Sequence, residues 1–381
     1  MRILLLGHAP SIHTRRWAEA LSARGHDLRL VTLVPPVDAY PIPVRVAGRS
    51  LPVRALGTLS ARGAVRAEAR AFRPDVTVAH FLPNYGWLAH LAGLRPRVLV
   101  CWGSDLLLNA GRTPFHRLRA RQVLRSADLV HVDADVLADA AAALGAPAGR
   151  VWTRAWGIDT ELFRPDGEGQ GGATPDGAAP RGARLRILWT RMLEPIYDPA
   201  TFVRALGRLE RRGVEFEATM AGEGDLRGAM ESLARDEGVA GRIRFAGWVG
   251  PERLPSLYRE HDVYVSLSRS DSTSQSLLEA MGSGLAPVVS DIAGNREWVL
   301  HRERGLLVPM EDDVAVACAL EELAREGEAR RAMGLRARAE VEARARFQDT
   351  LFETESRLLV LAKGSAASAG GSARPPEGDR R

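Results

Sequence analysis

The chain has a single lysine, Lys363, among its 381 residues. That excludes the G-x-x-x-x-G-K-[ST] phosphate loop, which needs a lysine within the folded body of the chain. Its two cysteines, Cys101 and Cys318, are too few for a disulfide framework and lack the spacing of a metal site. No apolar run approaches the roughly 20 residues of a membrane span. Ile3–Leu6 is too short for a signal peptide and has no cleavage site. With the scarcity of cysteine, this predicts a cytoplasmic location. Aromatic residues make up 6% and no basic motif is interleaved with them, so nucleic acid is not an expected partner. Gly7-His8-Ala9-Pro10 departs from G-x-G-x-x-G, which leaves a nicotinamide-binding reading little support.

The length suits two domains, and 45% apolar with 26% charged residues is the composition of a globular protein. The net charge of +5 is unevenly spread: residues 1–165 hold 22 arginines against 12 acids, and the remainder holds 30 basic against 35 acidic residues. Short apolar runs alternate with helical patterns, beginning with a strand at Arg2–Leu6, a helix at Ile12–Arg24 and a strand at Asp27–Leu33. Further strands are expected at Asp75–His80, Arg97–Cys101, Asp128–Val132 and Arg150–Thr153. After a Gly/Pro/Ala/Asp-rich stretch at 166–184, read as a linker, the alternation restarts at Leu185–Thr190. It runs through Glu215–Met220, Arg242–Ala246, Val263–Leu267 and Ala286–Ser290, and helices close the chain. Strand–helix alternation predicts α/β architecture with parallel sheets covered on both faces. The expected layout is two Rossmann-like doubly wound domains facing an interdomain cleft. They are an N-terminal domain over 1–165 and a C-terminal domain over 185–345. A helix over 346–362 returns to the first domain, and a disordered tail covers 363–381.

The most informative stretch is Ser270-Asp271-Ser272-Thr273-Ser274-Gln275-Ser276-Leu277-Leu278-Glu279. Small polar residues open a helix at about Gln275, and free amides at a helix start can hold a phosphate oxygen. Asp271 precedes the helix and Glu279 lies about one turn inside it. An acid on each side of an anion cradle suits a ligand with hydroxyl-rich ends and a phosphate-rich middle, such as a nucleotide-sugar. Gly222-Glu223-Gly224 reads as a turn giving close backbone approach to that ligand.

Together with Phe245-Ala246-Gly247, Gly294-Asn295-Arg296-Glu297-Trp298 and Gly305-Leu306-Leu307-Val308-Pro309, these segments resemble the family 4 retaining glycosyltransferases of the GT-B fold. The resemblance covers roughly residues 1–362. It implies that Asp271 faces the donor sugar and Glu279 the ribose. The amides of Ser274, Gln275 and Ser276 would meet the diphosphate of a nucleotide-diphosphate-sugar, with Leu277 also on the donor side and Arg191 as a phosphate clamp. On the acceptor side it points to His13, Asn84, Tyr85, Trp102 and Asp105. Asp105 reads equally as a helix cap, and Asn84 and Tyr85 could cap a helix as well as touch substrate. His80 reads as a strand-end histidine.

Three departures stand out. The first acid of the family's Glu-x7-Glu pair is Asp271. The lysine expected about five residues after the clamp arginine is replaced by Ile196 or Tyr197. Trp102 stands where relatives carry histidine. No cofactor is required on this reading. Arg15, Arg16 or a bound Mg²⁺ are candidates for the missing positive charge. The acceptor would be lipid-linked, a saccharide or a small molecule. Arg62, Arg66, Arg70 and Arg73, and then Arg117, Arg119, Arg121 and Arg125 beside Phe115 and Leu118, form basic stretches. They read either as a solvated face or as a docking face for an anionic membrane surface. A non-catalytic partner subunit and a nucleotide-sugar epimerase are the alternative functions.

Overall fold

The computed structural model of the chain describes residues 1–47, 54–165 and 184–370. Seven strands form one sheet: β1 (Arg2–Leu6), β2 (Asp27–Thr32), β3 (Val44–Val46), β4 (Val76–His80), β5 (Arg97–Val100), β6 (Leu129–Val132) and β7 (Val151–Thr153). Their spatial order is β3-β2-β1-β4-β5-β6-β7. Six more form a second sheet: β8 (Leu185–Trp189), β9 (Phe216–Met220), β10 (Ile243–Phe245), β11 (Val263–Ser266), β12 (Ala286–Ser290) and β13 (Leu306–Val308), in the order β10-β9-β8-β11-β12-β13. Every pairing is parallel. Both sheets are doubly wound, as the strand–helix alternation predicts. The short strands β3 and β13 were not legible in the sequence pattern.

Parallel strands buried on both faces need apolar residues at nearly every position. In the second sheet, side chains alternate between two cores. Ile187, Trp189, Val263, Val265, Val288 and Val308 pack on one face. Their neighbours Leu188, Tyr264 and Val289 pack on the other. This period of two lets helices cover both sides.

The chain divides into two compact units. Met1–Asp133, Leu137–Arg154 and the chain from Leu351 form the first; Ala134–Val136 and Ala155–Thr350 form the second. The segment 155–165, expected with the first unit, groups with the second. Ala155, Ile158 and Phe163 are buried in its core with Leu257, Tyr258 and Met281. The expected linker over 166–184 falls outside the described residues except at its last position. The closing helix spans Phe347–Gly370, well past the expected end at 362. The tail expectation is thereby corrected for 363–370, and its remainder lies outside the described residues.

In each sheet the strand order reverses beside the first strand, between β1 and β4 and between β8 and β11. Ligands of doubly wound sheets bind beyond the carboxyl ends of the strands at such points. The loops leaving these four strands carry most of the candidate residues.

Candidate active site

In the second unit, Arg191 follows β8 and the loop 267–274 follows β11. The helix Gln275–Gly282 begins where the sequence predicts. Ser274 is its N-cap, and the Ser274 hydroxyl accepts from the Leu277 amide at 3.4 Å. Its exit is a Schellman turn. Leu285 N–H donates to Ala280 O, Gly284 N–H donates to Met281 O, and Gly284 takes φ +78°.

Arg191 gathers the site. Its Nη2 meets Asp271 Oδ2 at 2.6 Å, and its Nη1 donates to Ser274 Oγ at 2.6 Å and Ser276 Oγ at 3.1 Å. Its guanidinium lies 4.3 Å from the centroid of the Tyr197 ring. Its Nε is buried and has no hydrogen-bond partner. Burial works against the charge, but Asp271 and then Tyr264, Tyr197 and Tyr258 outweigh it and hold the guanidinium above its ordinary range. Where the family resemblance calls for a lysine, Tyr197 supplies a stacking face. Arg269, two positions before Asp271, is tied to Asp198 at 3.4 Å and Glu311 at 3.0 Å. Arg15, a candidate for the missing charge, lies in the first unit. There it donates to Ala39 O at 2.8 Å and stacks on Tyr40 at 4.8 Å.

Glu279 lies one turn into the helix, and its Oε2 accepts from the Tyr258 hydroxyl at 3.0 Å. Burial first, then Glu279 and Tyr264, push that hydroxyl well above the usual phenol range, so it stays protonated and donating. Tyr258 also meets Thr190 Oγ1 at 3.1 Å, and Tyr264 reaches Ser276 Oγ at 2.8 Å. Gln275 points elsewhere: its Nε2 donates to Gly157 O at 2.7 Å.

Two sets of donor-side candidates in this unit are engaged by the chain itself. Leu277 is 1% exposed and its amide is turned to the Ser274 cap, so it does not present a free N–H. The close approach of Gly222 and Gly224 is to the chain itself. A Cβ on Gly222 would sit 2.2 Å from Arg191 O, and one on Gly224 would sit 2.4 Å from Leu193 O. Glu223 belongs to the same clasp, its carbonyl accepting from Leu193 N–H at 2.8 Å. These residues shape the loop that carries Arg191. Gly294 acts alike on the other acid, for a Cβ there would lie 2.1 Å from Ser272 O and 2.7 Å from Asp271 O.

In the first unit, a cavity of about 250 Å³ lies at the β1/β4 reversal, between His8, Ser11, His80, Asn84, Tyr85 and Trp102. The Trp102 ring is flanked by His13 at 5.1 Å and His80 at 5.4 Å, centroid to centroid. Burial, with Arg16 adding to it, lowers His13 to about 4. Burial, with His131 and His13 adding to it, lowers His80 to about 3. Both imidazoles are neutral at pH 7. His80 is 3% exposed and its Nδ1 has no partner, which gives this residue more prominence than its sequence reading. Phe81, leaving β4, holds φ +71°, a strained conformation for a bulky residue. Asn84 is exposed at the cavity, whereas Tyr85 is buried and its hydroxyl accepts from Leu33 N–H at 3.3 Å.

Asp105 is corrected as an acceptor contact. It is fully buried, and its carboxylate accepts from the amides of Leu82 at 3.1 Å, Trp102 at 3.0 Å and Leu106 at 3.1 Å. Those bonds fasten the loops leaving β4 and β5 together. Burial raises its carboxyl to about 6 despite the three amides.

Tyr258 and Tyr264 are the site residues that sequence reading missed; Tyr197 and Gly294 stood in motifs it quoted, without the roles the structure gives them. Of the two missed, Tyr264 had a local signal, a hydroxyl on the strand entering the acidic loop.

Two doubly wound parallel α/β units are the architecture of the GT-B fold. Residues 184–326 match the family described as glycosyl transferases group 1, and residues 9–153 match the glycosyl transferase 4-like domain. The chain belongs to the group 1 glycosyltransferases of family 4. It is 27% identical over 298 residues to the GDP-mannose-dependent alpha-(1-6)-phosphatidylinositol monomannoside mannosyltransferase of Mycobacterium tuberculosis, covering 74% of this chain and 76% of that protein. It is 33% identical over 138 residues to the putative glycosyltransferase EpsF of Bacillus subtilis, an alignment that spans 34% of that protein. Among solved structures, the sucrose-phosphate synthase of Thermosynechococcus elongatus matches with a TM-score of 0.80 at 18% identity, covering 96% of this chain and all of that one. HepE of Anabaena in complex with UDP-glucose matches at 0.75 and 18% identity, covering 94% of this chain. At these identities the structures show the fold. The family generally works without a required metal ion. No helix among the described residues is long and apolar enough to cross a membrane.

Proposed function

We propose that the chain is a retaining glycosyltransferase that moves a sugar from a nucleoside-diphosphate-sugar to an acceptor hydroxyl. The observation that carries this is Arg191. It is buried at a strand-order reversal, bonded at once to Asp271 and to the serines that open the helix Gln275–Gly282. A guanidinium beside helix-opening amides is a diphosphate site. The paired carboxylate gives an incoming sugar a hydroxyl acceptor once the phosphates engage Arg191. Glu279, held by Tyr258, would take the ribose hydroxyls.

Transfer on one face of the sugar breaks the bond from the anomeric carbon to the diphosphate and forms the bond to the acceptor oxygen. The acceptor proton passes to the departing phosphate oxygen. The chain's part is then charge and position: Arg191 stabilises the leaving diphosphate, and Asp271 and Glu279 fix the donor. The first unit's cavity, with Trp102 flanked by neutral histidines, suits the apolar face and hydroxyls of an uncharged saccharide end. Phe115 and Leu118 are exposed on the helix Pro114–Ser126 beside exposed Arg117, Arg121 and Arg125. That face suits an anionic membrane and hence a lipid-linked acceptor.

The mycobacterial relative is named for GDP-mannose and the Anabaena structure contains UDP-glucose, so these two donors head the test. Each is incubated with the full chain, and nucleotide release and anomeric configuration are read by NMR. Release of nucleoside diphosphate with retained configuration is the expected result. Nucleotide binding with neither hydrolysis nor transfer would make the chain a non-catalytic subunit. A sugar isomer formed without acceptor would make it an epimerase.

A further inference from the structure

The amino ends of β11 and β12 face away from Arg191 and Asp271, and a second cavity of about 230 Å³ lies there. Arg259, from the helix Leu254–Arg259, and Arg330 and Arg331, from the helix Gly327–Arg344, line it together with Ser283. The carboxylate in the lining, Asp262, is engaged by Arg186 at 2.8 Å and 3.0 Å. His261 is held neutral, lowered by burial to about 4, with Nδ1 on Leu257 O at 2.7 Å and Nε2 on Thr219 Oγ1 at 3.0 Å.

Ser283 is 4% exposed, and its hydroxyl has no hydrogen-bond partner. A buried hydroxyl without a partner is costly, so its place in a cationic cavity points to a missing acceptor. The nearby helix end does not supply that acceptor. Gly282 O accepts from Arg338 Nη1 at 2.7 Å, and the amides of Ser283, Gly284 and Leu285 close on Glu279, Met281 and Ala280.

We propose that this cavity binds the phosphate group of a small phosphorylated molecule, with Arg330 and Arg331 pairing its charge and the Ser283 hydroxyl donating to one of its oxygens. Its volume lies below the roughly 300–1,000 Å³ of pockets that enclose larger ligands, which suits a phosphate or a phosphorylated monosaccharide rather than a nucleotide-sugar. Burial lowers the Arg330 guanidinium; Asp262 counters this, and Arg331 and Arg186 add to it. A bound anion would relieve that repulsion. The site is separate from the proposed donor site and stands whatever the donor proves to be.

Calorimetric titration of the full chain at constant ionic strength tests it. Inorganic phosphate and glucose 6-phosphate are the probes, and glucose is the uncharged control. Saturable one-to-one binding of a phosphate-bearing probe is expected, and none of glucose. Tighter binding of glucose 6-phosphate identifies a phosphorylated metabolite, and equal binding identifies free phosphate. Arg331 is exposed and has no ion pair among the described residues, so Arg331→Ala should leave the thermal midpoint unchanged while raising Kd roughly tenfold or more. Ser283→Ala should raise Kd several-fold, and Arg191→Ala should leave it alone. Absence of saturable binding at millimolar phosphate overturns the proposal. So does binding that survives Arg331→Ala and disappears in Arg191→Ala, because the anion would then sit on the donor side.

Discussion

The pairing of Arg191 with Asp271 makes a prediction of opposite sign for binding and for catalysis. Asp271 Oδ2 occupies one edge of the guanidinium at 2.6 Å, where a diphosphate oxygen would have to sit. The two side chains are 12% and 19% exposed, so water screens the pair incompletely. Unit charges about 4 Å apart attract by about 4 kcal/mol at an effective dielectric near 20. Desolvation and competing hydrogen bonds reduce the net contribution of a charged hydrogen bond to about 1.5–3 kcal/mol. A nucleoside diphosphate must displace that contact. Asp271→Asn keeps the shape and one acceptor but removes the charge. Titration calorimetry with UDP and GDP should therefore show affinity rising by roughly tenfold to a hundredfold. Transfer, read in a single-turnover assay, should fall, because the sugar hydroxyls lose their carboxylate. Arg191→Ala should weaken nucleotide binding and transfer together. If Asp271→Asn weakened nucleotide binding as Arg191→Ala does, the carboxylate would be holding the guanidinium in place rather than competing for it, and the reasoning would fail.

Four further outcomes follow from the geometry. Glu279→Gln should lower transfer at least tenfold with little change in thermal midpoint, since the Tyr258 hydroxyl can still donate to the amide oxygen; steady-state kinetics and a melting curve separate the two effects. Gly294→Ala places a Cβ 2.1 Å from Ser272 O, so it should cost about 1–3 kcal/mol in a denaturant titration and reduce transfer by shifting Asp271. Trp102→Ala should raise KM for the acceptor while leaving nucleotide affinity unchanged, measured by varying each substrate in turn. Stability should fall on acidification. His13, His131 and His261 are lowered to about 4 and His80 to about 3, each with burial as the main cause, so their stabilising effect is complete above the unfolded value of 6.5 and lost as pH falls towards 3–4. Asp105, raised to about 6, works the other way between about 4 and 6, so calorimetry from pH 7.5 to 5 should show net destabilisation smaller than the four histidines alone would give.

The doubly wound sheets were legible because buried parallel strands leave continuous apolar runs. The helix at Gln275 was legible because small polar residues before an apolar turn mark an N-cap. Asp271 and Glu279 stood out as acids flanking a helix start, and Arg191 entered through the family resemblance. What stayed hidden depends on contacts between distant segments. Tyr258 reaches Glu279 from a helix 21 residues earlier, and nothing local marks it. Gly222 and Gly224 are small because the backbone of Arg191–Leu193 lies against them, a reason that looks identical in sequence to ligand approach. Asp105 sits where a substrate contact or a cap would be written alike, and only its three amide partners decide between them.

The substitutions at the clamp are where sequence and structure inform each other most. Read as losses, a lysine gone and a glutamate shortened suggest weakened chemistry. In the folded chain the two changes meet at one guanidinium: Asp271 pairs with Arg191, and Tyr197 lies over it at 4.3 Å. On the proposed function, Arg191 is the cation that meets the leaving charge. On that reading, anything that sets its availability, the carboxylate of Asp271 above all, would set the rate. A donor that brings two phosphates can outbid one carboxylate, whereas a monophosphate would do so poorly. On the proposed function, selectivity for diphosphate donors would follow from the same contact that restrains the site before the donor arrives.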